Sequence, residues 1–145
     1  MSAPTEFQTI DPASPGHVTG AARIILQLEG GVVLGGAAVA FTQLGGSWGV
    51  FAALFLTPDL SMLGYLAGPR VGAACYNAGH SYLGPALLAA VGAAQGETLL
   101  LQLAAIWVAH VGFDRLLGYG LKSAAGFGFT HLGRKGKAAR QTAMV

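Results

Sequence analysis

The stretch LTPDLSMLGYLAGPRVGAACYNAGHSY, residues 56–82, joins the end of one apolar run to the start of the next through a Gly-Pro-Arg turn. Four polar residues stand inside these runs, close to the turn: Asp59, Ser61, Asn77 and His80. If both runs cross a membrane, these side chains lie at a similar depth. Ionisable groups inside a membrane are costly to bury and are therefore candidates for function.

The composition of the 145-residue chain is typical of a membrane protein. Hydrophobic residues make up 53% of it and charged residues only 10%, whereas a soluble domain carries about 25% charged residues. The formal net charge of +2 is too small to indicate a nucleic-acid partner. Cys75 is the only cysteine, so the sequence excludes an internal disulfide and a metal site built from several cysteines of one chain.

Four apolar runs predict four transmembrane helices, because a helix needs about 20 residues to cross the hydrocarbon core of a bilayer. Their predicted bounds are 24–44, 48–66, 71–91 and 98–118. The fold class that follows is an all-α integral membrane protein, a four-helix bundle. Pro58 should kink the second helix about one turn earlier, near Leu54.

The first predicted helix carries a GxxxG pair, Gly31 and Gly35. Such pairs allow a neighbouring helix to approach closely. We expect the Gly-rich faces to contact other helices of this chain, a second copy of it, or partners in a membrane complex.

Two tails flank the predicted transmembrane domain, 23–119. Residues 1–22 form a flexible polar tail that includes His17, and residues 120–145 form a Gly-rich and then basic tail. Lysines and arginines flank only one side of the four-span layout, so the positive-inside rule places both termini in the cytoplasm. His131 is expected to be exposed there, with a fold-back over the polar cluster as the alternative.

This orientation brings five ionisable residues to one level of the bundle. At about 1.5 Å per residue they lie roughly 7–15 Å below the cytoplasmic boundary; they are Glu29, Asp59, His80, His110 and Asp114. The outer half of each helix is nearly free of ionisable groups. Helical spacing places Tyr76 and Asn77 on the same helix face as His80. Arg115, which marks the end of the fourth predicted helix, is the third expected supporting residue.

Three strings of sequence, PDLSMLGYLAGPRVGAACYNAGHSYLGP, HVGFDRLLGYGLK and GFGFTHLG, resemble a family of small bacterial integral membrane proteins of uncharacterised function. The similarity covers about 26–133. The resemblance implies a four-helix, multi-pass protein of the bacterial cytoplasmic (inner) membrane, and it supplies no mechanism.

Three interpretations of the cluster remain open. In the first, Asp59, His80, His110, Asp114 and Glu29 bind a divalent metal such as Zn, Fe or Mn, which activates water against a substrate. In the second, the same groups perform metal-free acid/base chemistry or proton-linked transport. In the third, they only pair with one another, in a structural, accessory, pigment-binding or lipid-binding subunit of a larger complex.

The sequence favours a small membrane enzyme that acts on a lipid-like or isoprenoid-like substrate, because five deep ionisable groups exceed what packing alone requires. The catalytic residues predicted on this basis are Asp59, His80, His110 and Asp114.

Overall fold

The computed structural model describes residues 18–124 and 127–134. These residues form five α-helices, one 3-10 helix and a small antiparallel sheet. In chain order they are α1 (Gly20–Gln43), α2 (Trp48–Leu54), the 3-10 helix (Thr57–Ala67), α3 (Pro69–Gly79), α4 (Leu83–Gln95), α5 (Thr98–Leu116), β1 (Phe129–Thr130) and β2 (Gly133–Arg134). The predicted mostly helical fold is confirmed. His17, the rest of 1–17 and the basic residues beyond 134 lie outside the described residues.

Three segments of the described chain are long and apolar enough to cross a membrane: Gly20–Gln43, Trp48–Ala67 and Thr98–Leu116. Large apolar side chains cover the outside of the molecule; Leu66 is 88% exposed and Leu83 is 81% exposed. Apolar surface of this extent marks contact with lipid or with partner proteins.

α1 packs along α5, and two glycines set how close the helices come. A Cβ built on Gly30 would lie 2.8 Å from the Gly112 carbonyl oxygen, and one on Gly112 would lie 2.8 Å from the Gly30 oxygen. The backbones therefore cross in contact, as small residues permit in membrane proteins. The predicted GxxxG pair does not make this crossing, because Gly31 meets only the Leu116 side chain and Gly35 faces open space.

The second predicted helix, 48–66, is divided. α2 ends at Leu54, where the sequence places the kink, and the chain resumes as a 3-10 helix with Pro58 in its first turn. Proline cannot donate a hydrogen bond to a preceding carbonyl and its ring disturbs the previous turn. The kink is confirmed, whereas the continuous α-helix is wrong.

The third predicted helix, 71–91, is also wrong as a single helix. α3 ends at Gly79 and α4 begins at Leu83. Pro85 would interrupt a continuous helix, but it is tolerated in the first turn of α4, where backbone N–H groups need no helical partner. Trp107 of α5 donates its indole N–H to the Gly79 carbonyl oxygen at 2.6 Å, which satisfies the end of α3.

The C-terminal segment folds back on the helices rather than forming a flexible tail from residue 120. Asn77 clamps it at Lys122, donating to the Lys122 carbonyl oxygen at 2.9 Å and accepting from its N–H at 2.6 Å. Leu132 is fully buried. The Val18 N–H donates to the His131 carbonyl oxygen at 2.8 Å, so the start of α1 and the end of this segment meet.

Candidate metal centre

The two helix breaks and α5 together position the polar cluster. Asp59 lies in the first turn of the 3-10 helix, His80 caps the end of α3, and His110 and Asp114 are one turn apart on α5. His80 and His110 are 3% and 1% exposed. The four predicted catalytic residues are therefore neighbours in space, although they come from three separate elements.

Three ligand atoms converge on one point. The Nε2 atoms of His80 and His110 lie 3.1 Å apart. The Oδ1 atom of Asp59 lies 3.2 Å from the His80 Nε2 and 3.6 Å from the His110 Nε2. Among the residues the structure describes, these three form the group of histidine and acidic side chains that could hold a metal ion.

The hydrogen bonds of the histidines decide which atoms face the centre. The His80 Nδ1 lies 3.0 Å from the Tyr76 carbonyl oxygen, so it carries the proton and leaves the lone pair on Nε2. The His80 ring also stacks on Tyr76, with ring centroids 3.7 Å apart. This orientation is typical of metal-binding histidines, whose second nitrogen donates to a carbonyl or carboxylate.

His110 is less tightly fixed. Its Nδ1 is buried and makes no hydrogen bond within the described part of the chain. The ring packs edge-on against Phe55 and interacts with the Phe55 backbone. In the tautomer that carries the proton on Nδ1, the His110 Nε2 lone pair faces the centre and is free to bind a metal ion; in the other tautomer the Nε2–H donates within the cluster.

The size of the triangle fits a transition metal. Ligand atoms of a tetrahedral zinc site are about 3.3 Å apart, and the three separations of 3.1–3.6 Å bracket that value. A point equidistant from the three atoms is about 1.9 Å from each, which is close to the usual metal–ligand distance of about 2.0–2.1 Å. The three atoms thus outline one face of a tetrahedral site.

Asp114 lies beside this triangle. Its Oδ2 is 3.6 Å from the His80 Nε2 and accepts a hydrogen bond from the Tyr76 hydroxyl at 2.8 Å. Tyr76 therefore fixes Asp114 through its hydroxyl and His80 through its carbonyl. This dual contact connects the predicted supporting residue Tyr76 to both Asp114 and His80.

The other predicted residues lie apart from the centre. Glu29 is on the exposed face of α1, in a shallow groove with Ile25 and Val32, because depth along a helix does not fix which face a residue occupies. Asn77 clamps the C-terminal segment, and the Arg115 guanidinium contacts the His131 Nε2 at 2.9 Å.

His131 is half-buried, so the expected exposed position is wrong. The residue packs against Arg115 and Leu121, whereas a position over the polar cluster stays a prediction. Its Nδ1 accepts from the Leu121 N–H at 2.9 Å. Burial lowers the pKa of His131 below the ordinary value of 6.5, and the positive Arg115 guanidinium lowers this pKa further. His131 is therefore neutral at neutral pH.

Sequence reasoning missed Lys122, which is only 5% exposed. Its Nζ lies 4.7 Å from the centroid of the Tyr76 ring and 4.0 Å from that of Phe127. The Lys122 ammonium thus contacts the tyrosine that holds Asp114 and His80. The family resemblance extends to about residue 133, and this extent was the sequence feature that could have indicated a folded C-terminal segment.

The fold and the cluster define a class of protein: small and mostly helical, with three segments suited to a membrane and a histidine–aspartate group of metal-ligand geometry. The chain belongs to the family described as Domain of unknown function (DUF4260), whose profile matches residues 23–135. The suspected membership of an uncharacterised family is confirmed. Comparisons with curated proteins and with solved structures found no match.

Proposed function

We propose that the protein is a membrane metalloenzyme in which Asp59, His80 and His110 hold a divalent transition metal. The carrying observation is the triangle of Nε2, Nε2 and Oδ1 atoms, with sides of 3.1–3.6 Å. Two histidines and one carboxylate, with a further position open, is a ligand set used by catalytic zinc and by non-haem iron.

The charge of the cluster is compatible with a divalent ion. Asp59 and Asp114 are both near the two histidines, and their side chains are 32% and 16% exposed. Burying carboxylates without compensating positive charge is costly. A divalent cation would add positive charge beside both carboxylates, in addition to the Lys122 ammonium, which lies 4.7 Å from the centroid of the Tyr76 ring.

The reaction class we propose is hydrolysis of an ester or phosphoester carried by a lipid-like or isoprenoid-like substrate. A metal in this site would supply Lewis-acid chemistry, polarising the substrate oxygen and lowering the pKa of water. Asp114, whose Oδ2 lies 3.6 Å from the His80 Nε2 and accepts from the Tyr76 hydroxyl, would accept the proton of the attacking water. The His80–Tyr76 hydrogen bond keeps the imidazole oriented throughout.

We further propose four membrane crossings with both termini on the cytoplasmic side of a bacterial inner membrane. The hydrogen bond from Val18 to His131 supports termini on one side, and the charge distribution supports the cytoplasm. In this arrangement α3 and α4 together make the third crossing. A reporter that is active only in the cytoplasm should be inactive when fused at Glu97; an active fusion contradicts this topology.

The metal proposal is tested by elemental mass spectrometry on protein purified in mild detergent, without chelators or histidine-rich tags. We expect about one Zn, Fe or Mn ion per chain, as for a single three-ligand site. His80→Ala and His110→Ala should lose the ion. Glu29→Gln is the matched control and should keep it, because Glu29 lies on the outer face of α1.

Protein that stays metal-free after it has been supplied with each of the three ions contradicts the proposal. The cluster would then be an acid/base or structural network. Equal metal content in the histidine variants and in the wild type would place the ion elsewhere and would also contradict the proposal.

A further inference from the structure

A cavity of about 390 Å³ opens beside the metal centre. Its volume falls in the usual range for small-molecule sites, about 300–1,000 Å³. The walls come from the end of α2, the start of the 3-10 helix, α4 and α5, and its larger apolar side chains are Leu54, Leu88, Leu103, Ile106 and Trp107. The cavity exists because the second and third helical segments both break here.

The cavity and the metal centre share their backbone. Pro58, which lines the cavity, directly precedes Asp59, and Gly79, which also lines it, directly precedes His80. On α5, Ile106 lies one helical turn before His110. The lining of the cavity thus comes within one residue of Asp59 and of His80 along the chain, so a molecule that fills the cavity would lie close to the cluster.

The residues that line the cavity indicate the chemistry of the group that would fill it. The Trp107 N–H is already donated to Gly79, so its ring offers an apolar surface. Thr57 and Ser61 also line the cavity, and the Ser61 hydroxyl oxygen is buried without a hydrogen-bond partner among the described residues. Mainly apolar walls suit a hydrocarbon chain, and they offer too few polar partners for a nucleotide or a sugar.

We propose that this cavity binds a single hydrocarbon chain of a membrane amphiphile and directs its polar end to Asp59, His80 and His110. The proposal rests on the proposed function for the role of that polar end. The surrounding surface is continuous with lipid: Leu60, on the 3-10 helix, is 63% exposed, and Leu87, on α4, is 68% exposed. A chain can therefore enter sideways from the bilayer without leaving an apolar environment.

The test uses a long-chain fatty alcohol that carries a photoactivatable diazirine, added to the full-length protein in detergent. After illumination, peptide mass spectrometry locates the cross-links. We expect saturable labelling of residues in the cavity, such as Leu103 and Trp107, with competition by the unlabelled alcohol. Leu88→Phe fills part of the cavity and should reduce this labelling roughly tenfold, which corresponds to about 1.4 kcal/mol of binding free energy.

Leu87→Phe is the matched control, because Leu87 is next to Leu88 in sequence, is 68% exposed and is not among the residues that line the cavity; this variant should label like the wild type. Leu103→Phe provides a second filled cavity if Leu88→Phe folds poorly. Labelling that does not saturate, or that is spread evenly over outer residues such as Leu66, overturns the inference, as does undiminished labelling of both filled variants.

Metal content measured on the same samples separates the two proposals. Metal-loaded protein with unspecific labelling overturns only the chain-binding inference. Metal-free protein whose cavity still labels saturably, and less in Leu88→Phe, upholds chain binding and overturns the metalloenzyme.

Discussion

The α1–α5 pair and the two broken helical segments are made from similarly apolar sequence, yet they differ in continuity. α1 and α5 run unbroken for 24 and 19 residues and cross at Gly30 and Gly112. The segments between them break near Leu54 and at His80. The difference lies mainly in proline: α1 and α5 contain none, whereas Pro58 and Pro85 stand inside the broken segments.

The continuous helices and the broken segments therefore contribute to the cluster in different ways. The continuous pair holds His110 and Asp114 on a regular helix, so their spacing is fixed by helical geometry. The breaks turn Asp59 and His80 toward them, at positions that regular helices would not provide. Sites built on such a frame depend on precise support from their neighbours, so disturbing the frame should cost more than disturbing the periphery.

The largest expected effect comes from closing the gap between the continuous helices. In Gly112→Ala the new Cβ would lie 2.8 Å from backbone atoms of Gly30 and Leu34, which cannot move without separating the helices. We expect a loss of about 3 kcal/mol of stability, at the upper end for overpacking. Thermal unfolding in detergent measures it. Gly35→Ala is the control and should lose nothing, because Gly35 faces open space; equal losses would disprove the crossing.

Asp59→Asn should weaken metal binding by at least about 100-fold. Removing an outer-shell partner of a metal ligand weakens binding by about 10–100-fold, and loss of a proposed direct ligand should cost no less. The amide keeps the shape of the carboxylate but loses its charge, so the helical fold should remain intact by circular dichroism. Metal affinity is measured by competition with a chelator. Full affinity in this variant, or full biological function in a host where deletion has a phenotype, would contradict the role of Asp59.

Tyr76→Phe should have a smaller effect, roughly tenfold on metal affinity, because it removes one outer-shell hydrogen bond. The variant frees Asp114 from the Tyr76 hydroxyl but preserves the carbonyl that orients His80. The same competition assay applies. Tyr82→Phe, whose hydroxyl is outside the cluster, is the control; a matching decrease there would indicate a general loss of packing.

The smallest effect concerns the C-terminal segment and pH. Because the pKa of His131 is lowered on folding, the unfolded chain binds a proton more readily, and stability should decrease as pH falls below about 6.5. A protonated His131 would face the Arg115 guanidinium at 2.9 Å. Thermal unfolding between pH 7.5 and roughly pH 5 should show a steeper decrease for the wild type than for His131→Gln. Parallel curves would contradict the prediction.

The sequence predicted the level of the site because depth follows from counting residues along antiparallel helices. This reasoning placed Asp59, His80, His110 and Asp114 together, and the structure brings them into one cluster. It also included Glu29, which shares their depth but faces outward. Their function as ligands or catalysts stays a prediction.

The helix breaks and the folded C-terminal segment were harder to predict. Pro58 indicated its kink, whereas the third predicted helix, 71–91, was continued through Pro85. Lys122 and Leu132 are buried through contacts with distant residues, including the Asn77 clamp. The Gly-rich sequence of this segment carries no periodicity that would reveal such contacts.

The central claim is that two imidazoles and one carboxylate bind the same ion. X-ray absorption at the edge of the bound metal tests it most directly, on wild-type protein and on His80→Ala supplied with the same metal. We expect nitrogen and oxygen scatterers at about 2.0–2.1 Å with the outer-shell signature of two imidazoles, reduced to one in the variant. A shell of oxygen alone, or an unchanged signature in His80→Ala, would contradict the claim.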